Sequence, residues 1–104
     1  MSDSTEMKRW VISTSFYMPP SEILHLIIDL GTQIPGLKDF SKDQHEVECV
    51  GTKEAIFLLK EALQKTVDSP KNCVSRFDCE EVGNGNVSIW SVRSKNKYLS
   101  NLDQ

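Results

Sequence analysis

The stretch from His45 to Leu63 changes its periodicity part-way, and that change constrains the fold more than any other feature of the chain. From His45 to Val50, Val47 and Cys49 alternate with Glu46 and Glu48, the period-two pattern of a strand with one buried face. Gly51-Thr52 forms a tight corner, and from Lys53 to about Thr66 the apolar positions recur at helical spacing. Thr52 stands where an N-cap hydroxyl accepts from an otherwise unpaired backbone N–H. Glu54 lies in the first turn, where the helix dipole favours a negative charge. Ala55, Leu58, Leu59, Ala62 and Leu63 form the stripe expected to face a sheet. That leaves Phe57 on the opposite face, among Lys53, Lys60, Glu61 and Gln64.

Upstream, Lys8 to Ser15 reads as a strand with Trp10 and Ile12 on one face and Arg9, Val11 and Ser13 on the other. If helices cover the Trp10/Ile12 face, Val11 lies on the open face of the sheet. Met18-Pro19-Pro20 forces a loop, because proline fixes φ and lacks a backbone donor, and Ser21-Glu22 then starts a helix running to about Gln33. Ile23, Leu26, Ile27, Leu30 and Ile34 define its apolar arc. Leu24 and Ile28 widen that arc to roughly 200°, about twice what a helix needs to lie on one sheet. Either a loop or the C-terminal segment covers the excess and Phe57 is an incidental surface aromatic, or Leu24 and Ile28 on this flank, with Phe57 on the far side of the second helix, are the candidate protein-interface residues. Ile34-Pro35-Gly36 ends the helix, Leu37 to Ser41 is a short strand, and Lys42-Asp43-Gln44 turns into the strand at His45. After the second helix, Asp68 to Asn72 is a loop. Cys73 to Val82 and Val87 to Arg93 are strands joined by Gly83-Asn84-Gly85-Asn86, whose central Asn-Gly is a hairpin signal. Phe77, Val87 and Ile89 are the candidate core residues of this last pair.

The order strand, helix, strand, strand, helix, strand predicts an α+β fold. The expected form is a ferredoxin-like βαββαβ sandwich, two helices on one face of an antiparallel sheet, with a C-terminal β-hairpin extension. A chain of 104 residues suits one domain, placed at 8–93 between a disordered N-terminal tail (1–7) and a polar C-terminal tail (94–104). A net charge of −3 argues against a protein that depends on wrapping a phosphate backbone. The three cysteines, Cys49, Cys73 and Cys79, form no Cys-x-x-Cys pair and fit free thiols in a reducing compartment. The polar start has no apolar leader core and no run approaches the ~20 apolar residues of a membrane span. The expected location is cytoplasmic or nuclear, away from membranes.

Two families share this order. His45-Glu-Val-Glu-Cys-Val-Gly-Thr-Lys-Glu-Ala55, followed by an apolar helix, is similar to the third strand and second helix of the RNA recognition motif. Sequence-specific members of that family stack bases on sheet aromatics. Here the corresponding open-face positions are Val11 and Glu46 or Glu48, and carboxylates there repel phosphate. The resemblance therefore implies a degenerate member, used as a protein-binding platform. Residues 8 to 67 also resemble a heavy-metal-associated domain. Met18 stands where that family's Met-x-Cys-x-x-Cys loop begins, and Ile34-Pro35-Gly36-Leu37 resembles its Ile/Val-Pro-Gly-Val. Pro20 and Ile23 occupy the two cysteine positions, and neither offers the soft ligand that Cu(I) needs. This implies a chaperone-like shape that has lost its ligands.

The residues suggest no catalytic constellation. His25 with Asp29 is an exposed helix pair. His45 and Cys49 share a strand face about 13 Å apart, too far to chelate one ion by themselves. Cys73 and Cys79 share one strand, too far apart for a disulfide unless a bulge intervenes. No enzyme, cofactor or metal is expected. The leading reading is a non-catalytic protein-interaction module, an adaptor or complex subunit that binds another protein or itself. The alternative is an RNA-binding domain using Arg76, Trp90, Arg93, Lys95, Lys97 and Tyr98.

Overall fold

The computed structural model describes residues 6–69 and 74–94. Its elements are β1 (Lys8–Thr14), α1 (Ser21–Thr32), β2 (Leu37–Lys42), β3 (Glu46–Gly51), α2 (Lys53–Val67), β4 (Arg76–Glu81) and β5 (Val87–Arg93). The fold is α+β, with five antiparallel strands in the order β2-β3-β1-β4-β5 and two helices, and it is compatible with a ferredoxin-like sandwich. Cys73, Lys95, Lys97, Tyr98 and most of both expected tails lie outside the described residues. Ser94, assigned to the polar tail, is buried and its N–H donates to the Ser75 carbonyl at 2.9 Å.

The β3–α2 corner forms as its sequence demands. Thr52 caps α2 by accepting from the Ala55 N–H at 3.1 Å. Gly51 is needed because β2 passes against it: a Cβ there would meet the Gly36 carbonyl oxygen at 2.4 Å. The Gly51 carbonyl in turn accepts from the buried Trp10 indole N–H at 2.9 Å. The corner thus ties β3 to both β2 and β1.

One core lies between the sheet and the helices. The strands supply Trp10, Ile12, Val47, Cys49, Phe77, Cys79, Trp90 and Val92; the helices supply Leu24, Ile27, Ile56, Leu59, Leu63 and Val67. Each large apolar side chain so enclosed contributes about 1.5–3 kcal/mol relative to leaving it wet. Every buried side-chain polar atom among the described residues has a partner.

Several expectations are corrected here. Leu24 is only 2% exposed and belongs to the core, and Ile28 is half-buried against it. The innermost positions of α1 are Leu24, Ile27 and Gly31, so the helix is rotated toward Leu24 from the predicted arc of Ile23, Leu26, Ile27, Leu30 and Ile34. On α2 the buried stripe is Ala55, Ile56, Leu59, Leu63 and Val67, and Leu58, assigned to the stripe, is 46% exposed. Val11 does point away from the helices, yet it too is buried. On β5, Trp90 and Val92 face the core, while Val87 is 60% exposed and Ile89 half-buried. Pairing sets this: Trp90 lies opposite Cys79 and Val92 opposite Phe77, both core-facing, the register shift leaves Ile89 without a cross-strand partner, and Val87 ends the strand opposite Glu81.

Candidate interaction surface

Rotation of α2 about its axis determines what its outer side presents. With Ile56, Leu59 and Leu63 turned inward, Leu58 emerges on the flank, and it is the one large apolar side chain on a helix that stands exposed among the described residues. Phe57 is half-buried and packs against the core, so it is only partly the free anchor expected; the Lys60 ammonium lies 5.8 Å from its ring centroid. Phe57 and Leu58 with Lys53, Glu54 and Glu61 line a shallow apolar cleft of about 370 Å³. On the other side of Leu58 a second depression, lined by Leu30, Ala62 and Lys65 among others, runs toward α1. Leu58 is the ridge between them.

The opposite side of the sheet is acidic. Cross-strand pairing places Glu46 beside Ser13, and Val11 between Glu48 and Glu80. Arg9 pairs with Glu48, and Arg76 Nε lies 2.8 Å from Asp78, which also accepts from the Ser91 hydroxyl. Burial pushes the Glu46 carboxyl above its usual range, and the neighbouring charges of Asp43, Glu80 and Glu48 push it the same way. Asp43 moves oppositely, held low by the backbone N–H groups of His45 and Glu46 that it accepts at 2.7 and 2.9 Å.

Among the described residues, those proposed for nucleic-acid contact form no stacking platform. Trp90 is enclosed in the core, with its indole N–H donating to the Ile56 carbonyl at 3.1 Å. Arg76 is engaged by Asp78, and Arg93 sits at the end of β5, where its carbonyl accepts from Gln64. Lys95, Lys97 and Tyr98 lie outside the described residues.

Burial disfavours ionisation of both described thiols. The Cys49 thiol is pushed up to about 12, and that of Cys79 is raised further, by loss of hydration and to a lesser degree by nearby Cys49 and Glu80. They are therefore protonated, enclosed groups rather than nucleophiles. Among the described residues no three His, Cys, Asp or Glu side chains gather to hold a metal ion, and no helix is long and apolar enough to cross a membrane.

Comparison with protein-family models, curated proteins and solved structures returns no match.

The loop expected at Met18-Pro19-Pro20 carries an exposed apolar group that no periodicity marked. Phe16, Tyr17 and Met18 stand exposed together, Tyr17 at 83%. Three successive large side chains ahead of Pro19-Pro20 were the available signal.

Proposed function

We propose that this chain is a non-catalytic protein-interaction module on a ferredoxin-like βαββαβ scaffold of RNA-recognition-motif type, with β5 as the hairpin extension. Its docking site is the outer side of α2. The observation that carries this reading is Leu58, an aliphatic side chain held in solvent on a well-anchored helix, between two depressions. Such a ridge-and-cleft surface suits the apolar face of a partner helix, which inserts anchors at helical spacing. The flanking Lys53, Glu54 and Glu61 carry both signs and set orientation more than attraction. The acidic sheet face supports the protein reading over the RNA reading, since carboxylates there oppose phosphate.

The test replaces Leu58 with Gln, which keeps helix propensity and removes the apolar ridge. Affinity capture from the native source and light scattering of the purified chain are compared for the wild type, Leu58→Gln and a Glu22→Gln control on α1. Loss of a captured protein or of self-association with Leu58→Gln alone supports the reading. An identical profile for all three chains rejects the α2 site.

A further inference from the structure

The β1–α1 loop carries a second surface, independent of α2. A loop of this length ordinarily turns polar residues to water, yet this one projects Phe16, Tyr17 and Met18. The projection is fixed from below. The Phe16 N–H donates to the Thr14 hydroxyl at 3.1 Å, and the Ser15 N–H donates to the Arg76 carbonyl at 3.0 Å. His45 holds the other side: its ring lies 4.9 Å from that of Tyr17, and its Nδ1 is 2.9 Å from the Tyr17 carbonyl oxygen. A carbonyl only accepts, so Nδ1 carries the hydrogen. The loop is tied down while its apolar side chains stay in water, which is the arrangement of a preorganised anchor.

The same His45 joins the tip to the carboxylates. Asp43 accepts from the backbone N–H groups of His45 and Glu46, and Glu46 begins the acidic rows of the open sheet. Of the carboxylates there, Glu48 and Asp78 have arginine partners. Asp43, Glu46 and Glu80 have no cation within ion-pair distance among the described residues. The result is an aromatic and thioether tip beside a depression in which Asp43, Glu46 and Glu48 outnumber its one cation, Lys42.

We propose that the Phe16–Tyr17–Met18 tip and the adjoining Asp43 and Glu46, with Glu80 further along the open sheet face, dock a cationic segment of a partner protein, lysine- or arginine-rich around an apolar anchor. Charge complementarity selects this occupant. An anionic membrane or a nucleic acid would bring phosphate against the carboxylates, and a second copy of this surface would bring the same charges against themselves. A cationic segment relieves the mutual repulsion of the three carboxylates while its apolar residue covers the tip.

The test uses the full chain and a fluorescein-labelled peptide of lysines and arginines flanking two leucines. The comparison probes are the same peptide with glutamates for the basic residues, a single-stranded RNA oligonucleotide and phosphatidylserine vesicles. The cationic peptide should bind, more weakly as salt rises, and the other three should not. Tyr17→Ser and the pair Glu46→Lys with Glu80→Lys should each weaken it by about tenfold or more. The control pair Glu22→Lys with Asp29→Lys, which changes net charge equally on the exposed side of α1, should leave it within about twofold. Amide shifts on titration should centre on residues 16–18, 43–46 and 80. Equal weakening by the control pair, an unaffected Tyr17→Ser, shifts elsewhere, or binding of RNA, vesicles or the acidic peptide at comparable strength would overturn the proposal. Because Tyr17 projects into solvent, Tyr17→Ser keeps the fold and decides the matter even if the charge-reversed pair does not fold.

Discussion

The two helices invert what their sequences advertise. α1 carries the broader apolar arc, and none of its large apolar residues is left exposed. α2 has the narrower arc and presents Leu58 to water. Their neighbours explain the difference. α1 packs against β2, β3 and α2, and the Phe40 ring of β2 lies so close over Gly31 that a Cβ there would meet it at 2.5 Å. Apolar surface on three sides of α1 is consumed by three partners. α2 packs chiefly against β5 and α1, and Leu58, turned off those contacts, stands in water. Surplus apolar surface on a helix is thus defined by what surrounds it, and arc width alone does not measure it.

The strongest way to break this comparison is Leu24→Ser. With Leu24 in the core, the substitution should cost about 2–5 kcal/mol, because it removes buried apolar volume and adds a hydroxyl. For a domain of this size each kcal/mol lowers the melting temperature by about 4–8 °C, so thermal unfolding followed by circular dichroism reads the effect clearly. A melting temperature within a few degrees of wild type would return Leu24 to the surface and undo the account of α1.

That prediction also marks where the sequence stopped being informative. The existence and order of the elements were legible because period-two and helical patterns change at sharp signals: Pro19-Pro20, Pro35-Gly36, Gly51-Thr52. The rotation of α1 was not. Ile23, Leu24, Leu26, Ile27, Ile28 and Leu30 place apolar groups around so much of the helix that no one meridian is distinguished. On α2, ending the helix at Thr66 concealed Val67, the residue that completes the stripe Ile56, Leu59, Leu63, Val67 and expels Leu58 from it. On β5 both parities are apolar, Val87 and Ile89 against Trp90 and Val92, and only the pairing of Trp90 with Cys79 and Val92 with Phe77 decides between them. The exposed tip at Phe16–Met18 was visible as residues, but exposure is a property of what fails to pack over them, which a pattern does not state.

Phe57→Ala sharpens the comparison at intermediate size. The ring is half-buried and touches the core, so truncation should cost less than the about 3–5 kcal/mol of a fully enclosed phenylalanine, on the order of 1–2 kcal/mol. It should also shallow the cleft beside Leu58. Chemical denaturation measures the first effect through the midpoint at unchanged slope. A loss as large as that of Leu24→Ser would make Phe57 a core residue and leave Leu58 as the sole anchor on this side.

The smallest expected effect belongs to Leu58→Gln, and its smallness is the informative result. Leu58 is 46% exposed, so a large part of its surface is in water in both folded and unfolded states and contributes nothing to stability. Glutamine has nearly the helix propensity of leucine, so the α2 backbone loses little. The remaining loss comes from the contacts of the covered half of the side chain, and it should stay within about 1 kcal/mol. The denaturation midpoint should therefore move less than with Phe57→Ala and far less than with Leu24→Ser, although all three remove a large apolar side chain from a helix. If Leu58→Gln destabilised the protein as Leu24→Ser does, the exposed flank of α2 would be covered in solution by some part of the molecule itself. The contrast between the two helices would then vanish, and the docking site on α2 with it.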